Sequence, residues 1–286
     1  MALAQSRKGS VRTARCACFV VCIALVLAAG CSKKEPSSTQ QAAGQAAPVE
    51  TSAPPIVVAM IDAHGGMASW RSAKTVYFEC ESRSPRDSVA TTAHVMVDNR
   101  TRRAYLDFPE TGQSMAWDGK RAWSMHWTRH TPPRFLALLN YYFLDLPWLT
   151  MDPGVKLTVA GTDTLWGDPT EFNVVNMTFM PGTGDTPRDT YRLYIDPASK
   201  QLKACAYTVT YRALLPDSVQ STPEHILVYE DYKKVDGMLM PSRYTIYSTD
   251  HQPLSTCSVD EWAFDKPFDE SRMQMPDSAV VDESKP

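Results

Sequence analysis

From Val76 to Phe264 the chain keeps returning to a two-residue alternation of apolar and polar side chains, cut at intervals by turn dipeptides. This constrains its fold more than any other feature. Val76, Phe78 and Cys80 fall on one side of an extended segment, with Tyr77, Glu79 and Glu81 on the other. Further strands are expected at 93–98, 102–108, 156–165, 171–180, 190–195, 202–211, 224–235, 238–248 and 255–264. Asp98-Asn99, Asp196-Pro197 and Asp236-Gly237 each sit between two such runs, and Asp236-Gly237 is the strongest hairpin signal in the chain. Ten or so strands joined by short turns, with few crossover helices, predict an antiparallel sheet in a mainly β, α+β domain.

Two segments break the alternation. Ile56 to His64 has a helical pattern that stops at Gly65-Gly66, a left-handed cap, and His64 is expected to sit there as a structural cap, a cation on the helix dipole. Pro132 to Leu144 begins at prolines and is apolar on almost every side, so a helix there has to be covered by protein. Met115, Trp117, Trp123, Met125 and Trp127 all fall at odd positions. With a turn at Asp118-Gly119, these five side chains are expected on one face of a hairpin.

The ends of the chain read differently. Arg7, Lys8, Arg12 and Arg15 precede an uncharged run from Ala17 to Ala29, shorter than the about 20 apolar residues that span a bilayer, so residues 1–30 read as a secretion signal. The run ends in Leu27-Ala28-Ala29-Gly30-Cys31, which resembles the lipobox of bacterial lipoproteins, with Ala28 where the commonest form places Leu. That resemblance implies cleavage before Cys31 and lipidation of its thiol. Ser32 in place of Asp implies sorting to the outer membrane. Residues 31–55, rich in Ser, Gln, Ala and Pro, read as a disordered tether, 56–268 as one β domain, and the polar, acidic stretch 269–286 as a flexible tail.

With 29 basic against 32 acidic side chains and no basic stripe, nucleic acid is not an expected partner. Of the seven cysteines, three lie in the signal and Cys31 is the lipid site. Cys80, Cys205 and Cys257 remain, enough for one bridge in an oxidising compartment, with three pairings open.

The whole body resembles the relatives of the bacterial lipoprotein carriers LolA and LolB. The residues that carry the resemblance are Ala63-His64-Gly65-Gly66 with Trp70, Trp117-Asp118-Gly119-Lys120 with Trp123, Tyr194-Ile195-Asp196-Pro197, and Tyr232-Lys233-Lys234-Val235-Asp236-Gly237 with Pro241. The resemblance implies a curved antiparallel half-barrel of about eleven strands, its open side plugged by helices and its concave face able to hold acyl chains. LolB-type receptors use an exposed apolar side chain on an early loop. The comparable pair here, Leu214-Leu215 ahead of Pro216, lies in the later half of the chain.

Trp117, Trp123, Met125, Trp127, Phe135, Leu139, Tyr142, Phe143 and Trp148 form the candidate ligand-binding set, with Pro132 to Leu144 as a plug or lid. Catalytic signals are absent: there is no Gly-x-Ser-x-Gly elbow, no His-Glu-x-x-His and no Cys-x-x-Cys. His126 and His130, four apart, have metal spacing only on a helix, and the alternation there is that of a strand; neither metal nor cofactor is expected. The sequence therefore points to a non-enzymatic, lipid-anchored, periplasm-facing protein that binds a lipid, an acylated protein or another apolar molecule. The alternative is a structural module of the envelope with a filled core, docking an envelope protein.

Overall fold

The computed structural model describes residues 53–85 and 89–286. The signal sequence 1–30, Cys31 and the tether as far as residue 52 lie outside the described residues.

The body opens with α1 (Pro55–Ala63) and α2 (Gly66–Ser72). Gly65, at φ 109°, reverses the chain between them. A Cβ at Gly65 would stand 2.6 Å from the Gly237 carbonyl oxygen, so the helix pair rests directly on the Asp236-Gly237 hairpin. The sequence reading placed the first helix and its glycine stop but gave no helix to Gly66–Ser72.

Five strands follow as a meander: β1 (Thr75–Arg83), β2 (Thr91–Asp98), β3 (Ala104–Phe108), β4 (Gln113–Trp117) and β5 (Ala122–Met125). Three short helices, α3 (Pro133–Leu136), α4 (Leu139–Leu144) and α5 (Leu146–Leu149), lead to a second meander. It comprises β6 (Val155–Leu165), β7 (Asp168–Phe179), β8 (Thr190–Ile195), β9 (Leu202–Thr208), β10 (His225–Val235), β11 (Met238–Tyr247) and β12 (Pro253–Phe264). β12 returns to pair with β1, and β13 (Val280–Val281) adds to β5. All the described strands form one open, curved antiparallel sheet in the order β13-β5-β4-β3-β2-β1-β12-β11-β10-β9-β8-β7-β6. It has 13 strands where about eleven were expected.

One face of this sheet carries a continuous core that takes in α1 to α5. The opposite face has a smaller cluster around Phe172, Val174 and Tyr194. Val76, Phe78 and Cys80 point into the main core as their alternation required. Cys80 and Cys257 are joined by a disulfide that ties β1 to β12 across a sequence separation of 177 residues. Cys205 is a buried free thiol, and its burial raises its pKa far above that of an exposed cysteine.

Four expectations need correction. The segment from Pro132 to Leu144 is not one helix: Leu138, at φ −121° and ψ 3°, separates α3 from α4. A stretch apolar on all sides has no single stripe to bury, and it bends to the shape of the face it covers. Residues 269–286 are not free: Arg272 grips Asp107 with two hydrogen bonds of 2.6 and 3.0 Å, and Asp282 accepts from the Arg134 backbone N–H at 2.7 Å. Leu215 is buried and Leu214 packs against the main core, so the pair does not stand exposed. Fourth, the five odd-numbered side chains do not share a face. Four residues, 118–121, separate β4 from β5, so Trp117 pairs with Ala122 and Ala116 with Trp123, odd opposite even. Met115 and Trp117 face the main core, while Trp123 and Met125 lie on the convex side beside Arg272 and Gln274. After β5, His126 adopts a left-handed φ of 55°, and Trp127 comes back against Phe108 with ring centroids 5.5 Å apart.

Candidate functional site

The concave face of the sheet is occupied by α3, α4 and α5, which run from the β5 edge to the β6 edge. Tyr141, Phe143, Leu144, Leu146, Trp148 and Leu149 are all buried there. Phe143 stands 4.9 Å from the Tyr207 ring, and Trp148 stacks on Trp70 at 4.8 Å with an interplanar angle of 10°. Phe135 packs on Tyr211 at 5.2 Å, and the Arg134 guanidinium lies 5.1 Å above the Trp117 ring. Of the candidate set, Phe135, Leu139, Phe143 and Trp148 thus lie on the segment and in the hollow. Tyr142 lies on the segment with 39% of its surface exposed. The hollow is filled by the protein's own rings rather than standing open.

The segment is also held by a set of polar contacts. The Tyr229 hydroxyl donates to the Phe143 carbonyl at 2.5 Å, and the Tyr244 hydroxyl donates to Asn140 Oδ1 at 2.8 Å. Tyr141 donates to Asn99 Oδ1 at 2.6 Å and accepts from Arg102, which also pairs with Asp152 at 2.9 Å. Trp148 Nε1 donates to the Gly66 carbonyl at 3.2 Å, and Arg134 forms a fork with Asp185, both contacts at 2.7 Å. Alternation found none of the sheet tyrosines as site residues; only Tyr244, between Arg243 and Thr245, has polar neighbours on both sides, whereas Tyr207 follows Ala206 and Tyr229 follows Val228.

Towards the end of the segment lies an anomaly. Asp145, between α4 and α5, is fully buried, and among the described residues neither carboxylate oxygen has a hydrogen-bond partner. Desolvation pushes its pKa well above the ordinary carboxylate value, with Arg102 opposing that shift, so burial favours the neutral form. Each unsatisfied buried polar group costs about 1–3 kcal/mol. The segment seats nonetheless, because burying Phe143, Leu144, Leu146 and Leu149 contributes roughly 1.5–3 kcal/mol apiece. One sequence signal could have found this residue: Asp145 is the single charged side chain between Phe135 and Thr150.

His64 is a second buried group whose state differs from the expected one. Its Nδ1 donates to the Leu239 carbonyl at 2.9 Å, and its Nε2 accepts from the Leu202 N–H at 3.1 Å. A carbonyl only accepts and a backbone N–H only donates, so this geometry requires the neutral imidazole. Burial lowers its pKa to about 4, against the smaller raising effect of the Leu239 bond. It joins α1 to β9 and β11 as a neutral cross-link, not as a cation on a helix end. His126 is exposed on a loop, and among the described residues no cluster of three metal-capable side chains forms.

No family model and no curated protein matches the sequence. Among solved structures, the chain is similar to a DUF1329 family protein from Desulfovibrio piger, with a TM-score of 0.50 and 10% identity over 76% of this chain and 97% of that one. It is equally similar to a LolA superfamily protein from Nitrosomonas europaea, with a TM-score of 0.50 and 10% identity over 77% of this chain and 96% of the other. At such low identity what is shared is the fold, and the chain is a LolA-like open, curved antiparallel sheet with helices across its concave face.

Proposed function

We propose that this is a lipid-anchored protein of the bacterial envelope, facing the periplasm, whose concave sheet receives an apolar guest when α3–α5 is displaced. The guest class is an acyl chain, a lipid or an acylated protein. The observation that carries the reading is Asp145: a carboxyl with no hydrogen-bond partner among the described residues, at the junction of α4 and α5, weakens the seating of the segment that covers the hollow. A segment kept only to complete a core gains nothing from such a defect. Phe135, Leu139, Tyr142, Phe143 and Trp148 would move with the segment, while Trp117 and Trp127 would line the rim. Trp123 and Met125, on the convex side, leave the guest-binding set. The anchor is Cys31, and the role is binding, not catalysis.

The close packing of Trp70, Tyr141 and Trp148 favours a second reading, in which the hollow stays filled and the surface docks an envelope protein. Lipid extraction from the purified full chain, followed by mass spectrometry, separates the two, together with titration by a neutral guest, oleyl alcohol, monitored by tryptophan fluorescence. Tyr244→Phe, which removes the donor to Asn140, is expected to tighten binding. Absence of extracted lipid and of any fluorescence change in both proteins refutes the binder and leaves the docking module.

A further inference from the structure

We propose a separate site outside the hollow, a cleft that binds an anionic head group carried on an apolar stem. The cleft lies between α2, the turn from β2 to β3, and the connection from α5 to β6, and encloses about 330 Å³. That volume is within the range of small-ligand pockets. Its accessible apolar wall is formed by Met67 and by Met151, which is 42% exposed, and behind them lie the buried, stacked indoles of Trp70 and Trp148. Its rim carries Arg71 and Arg100, both exposed and neither making an ion pair with any described residue. Arg102 also lines the cleft, but its guanidinium is committed to Asp152 and Tyr141.

Three arginines against the one carboxylate of Asp152 leave the lining with a net charge of +2, on a chain whose overall formal charge is −3. Guanidinium groups recognise phosphate and carboxylate through paired N–H donors, and two unspent ones on a single rim form a site for such a group. Free phosphate would leave Met67 and Met151 in water. A phosphate or carboxylate bearing an alkyl chain satisfies the rim and covers the wall together, which selects an anionic amphiphile. The site is complete with α3–α5 in place, so it does not depend on displacement of that segment.

The test uses the full chain and dodecyl phosphate below its micelle-forming concentration, at low salt, with tryptophan fluorescence as the readout. Dodecyl phosphate is expected to bind at least roughly tenfold more tightly than dodecyl maltoside or inorganic phosphate, the factor that corresponds to one strong charge-assisted contact. Arg71→Gln combined with Arg100→Gln is expected to weaken dodecyl phosphate at least tenfold while leaving oleyl alcohol binding unchanged. Both side chains are exposed, and circular dichroism checks that the fold persists. Unchanged dodecyl phosphate affinity in the double variant overturns the site, as does equal affinity for the maltoside. Inorganic phosphate binding as tightly as dodecyl phosphate overturns the amphiphile and leaves a plain anion site. Loss of oleyl alcohol binding with Arg-dependent dodecyl phosphate binding intact would instead strike the hollow and spare the cleft.

Discussion

Replacing Asp145 by Asn tests the state of the covering segment through its pH dependence. In the folded protein burial raises the pKa of the carboxyl and favours its neutral form, whereas in the unfolded chain it titrates near 3.8. Between those two values the native state holds one proton more than the unfolded state. Unfolding free energy must therefore fall as pH rises, by about 1.4 kcal/mol per pH unit for one proton. Arg102 is the charged group that opposes this shift, and it stays in place in the variant. The hydroxyls of Tyr141 and Tyr229 remain neutral throughout, because desolvation raises both of their pKa values.

Asn keeps the shape and the unpaired polarity of Asp145 but does not ionise. Urea unfolding at a series of pH values from 4 upward should show the variant gaining on the parent protein by that slope until the folded-state pKa is passed. Other buried acids, such as Asp189, contribute equally to both proteins and cancel. At neutral pH the variant is expected to be the more stable protein, with slower amide exchange in α4 and α5. Parallel stability curves would refute the reasoning, since they would mean that the carboxyl is ionised and solvated in the native state.

His64 works in the opposite sense. Its folded-state pKa of about 4 lies below the usual 6.5, so the unfolded chain binds the extra proton and stability falls as pH drops through that window, by roughly 3 kcal/mol in full. His64→Gln should remove this dependence in the same titration. Gly65→Ala combines a left-handed backbone with a Cβ 2.6 Å from the Gly237 oxygen and should cost more than about 2 kcal/mol in urea unfolding. Reducing the Cys80–Cys257 bridge, which closes a loop of 177 residues, should destabilise the domain by up to about 5 kcal/mol on the chain-entropy estimate. Cys205 should stay unreactive towards a thiol reagent until the protein unfolds.

The sheet was legible because period-two alternation and turn residues are local signals: Asp236-Gly237 needed no partner elsewhere to declare a hairpin. Parity across a turn is less forgiving. Trp117 and Trp123 share odd numbering, but the even-length connection between their strands sends them to opposite faces. The C-terminal stretch misled because it is mostly polar and acidic. Its fixation comes from partners more than a hundred residues away, such as Asp107 for Arg272 and Arg103 for Glu270, which composition does not reveal. In the site, the rings announced themselves, whereas the isolation of Asp145 depends on which groups distant in the chain the fold brings beside it, and its neighbours in sequence do not reveal that.

The strand order adds a mechanical consequence. Because β5 and β6 lie towards opposite borders of the sheet, residues 126–154 act as a strap fastened at both rims. A strap tied at two ends cannot swing away like a door. It can only bow outward or be slackened by the rims drawing together, so anything admitted beneath it must alter the curl of the whole sheet. The span from Met125 to Val155 is therefore the distance to label, since occupancy and curvature are one coordinate in a body built this way.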